Sequence, residues 1–185
     1  MAPAAARVDT GMVHGRFQPF HSGHLEYVLQ AAARCSELVV GITNHEPGEV
    51  PPESTSPHRH LPEANPFSYW ERLLMVRAAL GAAGMDLARV AIVPFPIHSP
   101  SVWRHYVPPG VTHFIRVFSA WEEAKAERLR AAGYLVVQLP VGAKEVSGTE
   151  VRRRLAAGED WRGLVPAAVA ELIQPGRPSV NWLGR

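Results

Sequence analysis

His21 and His24 stand three residues apart in the run Gly15-Arg16-Phe17-Gln18-Pro19-Phe20-His21-Ser22-Gly23-His24. If both lie on the first turn of a helix, their imidazoles share one face and can donate hydrogen bonds to phosphoryl oxygens. Arg16, just upstream, adds a fixed charge with a planar fork that suits phosphate. A short run, Met12-Val13-His14, precedes this stretch, and Leu25, Val28, Leu29 and Ala32 follow it at helical spacing. The decad therefore sits on a strand-to-helix turn, where main-chain N–H groups and the positive end of a helix dipole favour an anion. A pair of histidines at this spacing can also ligate zinc, but no cysteine or carboxylate stands close by in sequence to complete such a site.

A second group lies far downstream, in Ser147-Gly148-Thr149-Glu150-Val151-Arg152. Ser147 and Glu150 have the spacing of a capping box, which predicts a helix start here. Its exposed N–H groups, the Thr149 hydroxyl and the Arg152 guanidinium could converge on one polyphosphate. Arg153 and Arg154 read as a solvated basic face.

The decad resembles the signature of the archaeal type of nicotinamide mononucleotide adenylyltransferase. Within it, His21-Ser22-Gly23-His24 resembles the His-x-Gly-His motif of the wider nucleotidyltransferase superfamily, and Ser147 to Arg152 resembles that family's partner motif. The resemblance implies transfer of the α-phosphoryl end of a nucleoside triphosphate to a phosphorylated acceptor, with release of pyrophosphate. It implies catalytic roles for His21, His24 and Arg152. Gly15, Arg16, Phe17, Gln18, Gly23, Ser147, Gly148 and Thr149 would bind the nucleotide. Arg72, Trp103 and Asn44 would bind the acceptor, with Trp103 against a pyridine ring. Two of these have a plainer alternative: Trp103 can fill the core, and Arg72 can be a surface ion-pair partner. No metal-ligating residues are expected, and Mg2+ would be held mainly through the substrate phosphates. The chain departs from the family pattern at Ser119-Ala120-Trp121-Glu122, which stands where the relatives carry Ser-Gly-Asn-Pro near the nucleotides.

Five strands are expected to position these groups: around Met12–His14, at Leu38–Ile42, at Val90–Phe95, at His113–Phe118 and at Tyr134–Leu139. Helices are expected after the decad, after Asn65-Pro66, over Ala120–Ala132, after Ser147 and over Pro166–Ile173. The second would bury Trp70, Leu73, Leu74 and either the Arg77 stem or Ala78. Strands alternating with helices predict an α/β, Rossmann-like, doubly wound five-stranded parallel sheet with helices on both faces. A single domain is expected over 8–174, with tails at 1–7 and 175–185. Residues 45–64 hold five prolines and three histidines and read as an inserted loop, either a lid or a disordered segment. Within it, His58-Arg59-His60 reads as solvated.

The 185 residues carry 46% hydrophobic side chains and a net charge of +2, which fits a globular domain and gives no case for nucleic acid as a partner. No apolar run is long enough to span a membrane. The start, Met1 to Arg7, reads as a tail rather than a signal peptide. Cys35 is the single cysteine, so no internal disulfide forms, and a cytoplasmic location is expected. Small-molecule substrates are the expected partners, with homo-oligomerisation open. Three functions compete. The first is adenylyl transfer from ATP to nicotinamide mononucleotide, giving NAD. The second is a CTP- or ATP-dependent transfer to another phosphate or phosphonate in a specialised pathway, and the third is a non-catalytic nucleotide sensor.

Overall fold

A computed structural model describes residues 7–46, 61–142 and 146–173. The segment His58-Arg59-His60, most of the proline-rich loop and the stretch after Ile173 lie outside the described residues. Five strands, β1 (Val8–Gly15), β2 (Cys35–Ile42), β3 (Val90–Pro94), β4 (Thr112–Ile115) and β5 (Leu135–Gln138), form one sheet in the order β3-β2-β1-β4-β5. Every pairing is parallel, with Gly15 beside Ile42, Ile42 beside Pro94 and Met12 beside His113. The helices are α1 (Ser22–Ala32), α2 (Tyr69–Ala82), α3 (Ala120–Ala131), α4 (Gly148–Ala157) and α5 (Ala167–Leu172).

Strand alternation splits the core into two layers, as a sheet buried on both faces requires. Val13 and Phe114 point to one side, where they pack with Val28 and Ala31 of α1, Met75, Val76 and Leu80 of α2, Val151 of α4 and Val169 of α5. Their neighbours Met12 and Ile115 point to the other, where they meet Ala126 and Leu129 of α3, with Phe95 and Trp103. Trp103 lies in a 3₁₀ turn over Pro100–His105. The expected α/β fold, helices on both faces, is therefore the one observed. The direction of winding reverses between β1 and β4, and the crevice beyond the carboxyl ends of those strands is where such sheets bind ligands.

Two local expectations are corrected. Asn65-Pro66 does not start α2. Asn65 instead closes a 3₁₀ turn over Pro62–Ala64, so the end of the inserted segment has regular structure. The helix is capped by Ser68, whose hydroxyl accepts from the Glu71 N–H while the Glu71 carboxylate accepts from the Ser68 N–H at 2.7 Å. The later start rotates the buried stripe. Arg72, Met75, Val76, Ala79 and Leu80 face inward at helical spacing, whereas Trp70 is 47% exposed. A charged residue occupies the stripe because the main chain satisfies it, as the site geometry makes clear.

Candidate active site

The crevice between β1 and β4 opens into a cleft of about 690 Å³. One wall comes from the exit of β1 and the first turn of α1, and includes Gly15, Arg16, His21, Gly23 and His24. Ser147, Gly148, Thr149 and Arg152, from the start of α4, complete that wall. The two sequence motifs, one near each end of the chain, thus share one cavity.

His21 occupies the N-cap of α1 in extended backbone, and its ring stacks on that of His24 at 3.5 Å between centroids, 21° from parallel. The His21 main-chain N–H donates to Nδ1 of His24 at 3.3 Å. Nδ1 is therefore an acceptor, and in the neutral ring the proton sits on Nε2, leaving Nε2–H as a donor. Phe17 meets the His24 ring edge-on at 5.0 Å and fixes its plane from below. Gly15 makes this possible, because a Cβ there would come within 2.8 Å of the Phe17 ring.

Arg152 fastens α4 to the decad. Its Nη1 donates to the Gln18 carbonyl at 2.6 Å, and its Nη2 to the Thr149 hydroxyl at 3.2 Å. Ser147 caps α4 by accepting from the Glu150 N–H at 3.2 Å. Only half of the expected capping box forms, since the Glu150 carboxylate turns to Arg153 and Arg154 at 2.9 and 2.7 Å. These two arginines hold the Glu150 carboxyl down to about 2, and they face away from the cleft wall as a solvated ion-paired surface. Arg16 reaches the Ala64 carbonyl at 3.4 Å, which ties the 3₁₀ turn to the cleft.

Several residues assigned to ligands from the sequence have their side chains committed elsewhere. Phe17 is buried in the core with φ of 53°, and so offers the cleft its main chain rather than its ring. The Gln18 amide forms a two-way pair with the main chain of Phe67, donating to its carbonyl at 2.8 Å and accepting from its N–H at 2.9 Å. The Arg72 side chain is committed to the main chain. Its guanidinium donates to the carbonyls of Arg16 and Thr43 at 2.7 Å, Asn44 at 2.8 Å and Ser68 at 3.1 Å. Burial pushes this group down to about 10, so it remains charged at neutral pH and pins the exits of β1 and β2 together. Trp103 is 1% exposed, packs against Phe95 and donates its indole N–H to the Pro96 carbonyl at 2.7 Å. It fills the core, the plainer of its two readings. Asn44, at φ of 51°, pairs its side-chain oxygen with His98 Nε2 at 3.3 Å and does not line the cleft.

Sequence reasoning also missed further residues that line the cleft: His14, Arg116, Phe118, Trp121 and Lys125. Arg116 pairs with Glu26 at 2.7 Å, and the Lys125 ammonium lies 4.9 Å from the centre of the Trp121 ring. A signal was available for His14 and His113. Each interrupts an otherwise apolar strand at a position that alternation turns inward. Among the described residues no group of three His, Cys, Asp or Glu side chains could hold a metal ion, and no helix is long and apolar enough to cross a membrane.

Comparison with known proteins agrees with this geometry. The model of the cytidylyltransferase-like family matches residues 12–154, which takes in both motifs. The chain is 48% identical to a phosphonoformate cytidylyltransferase of Streptomyces viridochromogenes over 166 residues, 89% of this chain and 90% of that one. It is 34% identical to a nicotinamide-nucleotide adenylyltransferase of Thermococcus kodakarensis over 169 residues, covering 90% and 83%. Among solved structures, a bifunctional NMN adenylyltransferase/ADP ribose pyrophosphatase from Francisella tularensis superposes with a TM-score of 0.63 at 19% identity. That likeness shows the shared fold, over 85% of this chain and 45% of the larger one. With the paired imidazoles and the α4 arginine in one cleft at the sheet's reversal point, the chain is a nucleotidyltransferase and belongs to the cytidylyltransferase-like family.

Proposed function

We propose that this enzyme transfers a cytidylyl group from CTP to a small phosphonate, with phosphonoformate as the leading acceptor, and releases pyrophosphate. The observation that carries the reading is the 48% identity, along nearly the whole of both chains, to a protein named for that activity. The burial of Trp103 supports it, because a pyridine-bearing acceptor then finds no indole face where the resemblance to adenylyltransferases would put one. The replacement at Ser119-Ala120-Trp121-Glu122 is in the same direction, since Trp121 lines the cleft where nucleotides are handled.

The chemistry is a displacement at phosphorus. An oxygen of the phosphonate forms a bond to the α-phosphorus of CTP. The bond from that phosphorus to the bridging oxygen breaks, and pyrophosphate leaves with the electron pair. A phosphonate is already ionised and nucleophilic near neutral pH, so no general base is needed. Catalysis then rests on positioning and on charge stabilisation. The Nε2–H of His24 and the imidazole of His21 donate to oxygens of the α-phosphate and the bridging atom. Arg16, Arg152, Thr149 and the first N–H groups of α4 take up the charge that grows on pyrophosphate. Mg2+ bound through the triphosphate oxygens and water would supply further neutralisation of the same charge.

A pyrophosphate-release assay pairing each of ATP, CTP, GTP and UTP with phosphonoformate, other phosphonates and nicotinamide mononucleotide tests the reading. CTP with phosphonoformate is expected to be the fastest pair. Faster turnover of ATP with nicotinamide mononucleotide would replace it with NAD synthesis.

A further inference from the structure

Arg116 follows the last residue of β4 and reaches back to α1, where its Nη2 pairs with the Glu26 carboxylate at 2.7 Å. Both residues line the cleft, and Glu26 stands one turn past Gly23 on the helix face that borders it. The Arg116 side chain is 9% exposed, yet its donors are only partly used. Nη1 has the Gly23 carbonyl at a long 3.4 Å, and Nε is buried with no hydrogen-bond partner among the described residues. Glu26 accepts from Arg116 and, at 3.1 Å, from Gln30, both on Oε1, which leaves Oε2 without a hydrogen bond among the described residues. Buried polar groups in folded proteins are nearly always paired, so a pair that borders a ligand cleft with donors and an acceptor unmet is matched to something a ligand brings.

The chemistry of the pair says what that is. Its two charges cancel, so it has little to offer a further anion, but an open N–H beside an open carboxylate oxygen complements a neutral group that carries an acceptor next to a donor. The amino edge of a nucleobase is such a group, since in cytosine the ring N3 accepts and the exocyclic N4–H donates. The surroundings suit a base as well. Phe118, 45% exposed, and Trp121 line the same cleft from the segment that follows Arg116, and supply flat apolar surface. Arg116 also meets Gly23, which lies between the two histidines proposed to hold the α-phosphate, so the pair sits next to the phosphorus from which the nucleoside extends.

Deepening the cytidylyl-transfer reading, on which the choice of cytosine rests, we infer that Arg116 and Glu26 read the amino edge of the nucleobase. The Glu26 carboxylate accepts from the N4–H of cytosine, and the Arg116 guanidinium donates to N3. Uracil reverses both positions, setting its O4 against the carboxylate and its N3–H against the guanidinium, so the site rejects UTP. Adenine, with an amine beside a ring acceptor, shares the cytosine pattern, and guanine shares that of uracil.

The experiment is equilibrium binding of CTP, UTP, ATP and GTP, each with Mg2+ and without acceptor, by calorimetric titration of wild type, Glu26→Gln and Glu26→Ala. The Glu26 side chain is 61% exposed, so neither substitution is expected to disturb the fold, and circular dichroism checks this. Wild type is expected to bind CTP about tenfold or more tightly than UTP. In Glu26→Gln, whose amide can donate to O4, the ratio is expected to fall to within about threefold of unity, and Glu26→Ala is expected to lower it in the same direction. A role confined to tying α1 to β4 would weaken all four nucleotides alike and leave the ratio unmoved. An unchanged ratio in the folded variants, or equal binding of CTP and UTP by wild type, overturns the base-reading pair and leaves cytidylyl transfer standing. Preference for ATP over GTP without binding of CTP, lost in Glu26→Gln, would sustain the amino-edge pair and overturn the cytidylyl reading.

Discussion

Arg152 donates to the main-chain carbonyl of Gln18 at 2.6 Å, a bond that spans 134 residues of sequence. It fixes the start of α4 against the loop before α1, so that donors from the two ends of the chain line one cleft. Catalysis by charge stabilisation depends on such prior alignment, because donors that must reorganise during the reaction lose most of their effect. Lysine cannot reproduce a fork that holds Gln18 and Thr149 while facing phosphate. Arg152→Lys is therefore expected to lower kcat by roughly a hundredfold, about 3 kcal/mol of barrier, with a smaller change in KM. Pyrophosphate release under saturating substrate checks this.

Gly148 tests the same contact from the backbone side. A Cβ at this position would stand 2.9 Å from the Gln18 carbonyl oxygen, a main-chain atom that cannot swing aside. Gly148→Ala must push the α4 start away from the decad, at a cost of about 1–3 kcal/mol. The expected result is a loss of turnover larger than the fall in melting temperature suggests, since the displaced N–H groups are those proposed to take up charge on the leaving group.

The stacked histidines separate architecture from chemistry. Nδ1 of His24 accepts from the His21 N–H, so Nε2–H is the ring's donor in the proposed mechanism. His24→Asn keeps an acceptor near the Nδ1 position and removes the outer donor. Turnover is expected to fall about a hundredfold in both His24→Asn and His24→Ala, since loss of one such donor costs about 2.7–4 kcal/mol. The asparagine variant should retain more thermal stability than the alanine variant. Equal turnover in wild type and His24→Asn would remove this ring from the mechanism.

Arg72 shows where reading the sequence reaches its limit. The five strands, the two motifs and the alternation of helices were legible because apolar runs and turn residues report local structure directly. The cleft wall made by the two motifs was legible for the same reason, being built from two contiguous stretches. What was not legible depends on partners distant in sequence. Arg72 lies 28 and 29 residues from the carbonyls of Asn44 and Thr43 and 56 from that of Arg16, and nothing beside it says that it is buried. Trp70, expected in the core, is exposed, and Trp103, expected at the acceptor, is buried, since burial of an aromatic depends on which face of its element turns inward. For α2 that face was set by the Ser68 cap rather than by Asn65-Pro66. Lys125 escaped because it lies in the middle of α3, where no motif marks it.

Because its guanidinium serves main-chain carbonyls, Arg72→Met is expected to act on stability first. Removing hydrogen bonds from a charged donor to buried acceptors costs on the order of 3 kcal/mol or more. The expected outcome is a lower melting temperature and denaturant midpoint. A variant with unchanged stability and a raised acceptor KM would return Arg72 to the binding site.

Acid sensitivity follows from the buried histidines. Burial, with the Lys125 charge as a lesser cause, holds the His113 ring down to about 4, and burial, Lys125 and His113 together hold His14 well below its ordinary range. Each is neutral in the fold and has an ordinary pKa near 6.5 when unfolded, so below that value the unfolded chain binds more protons. The stability conferred by the neutral rings is whole above about pH 6.5 and is lost as the pH falls toward 4, by about 3 kcal/mol for His113. His113→Phe removes this titration and, set against the Tyr134 ring at 4.8 Å, keeps an aromatic in the same space. Wild type should lose melting temperature steeply between pH 7 and pH 5, and His113→Phe should lose less. Parallel pH profiles in the two proteins would show that the acid loss originates elsewhere.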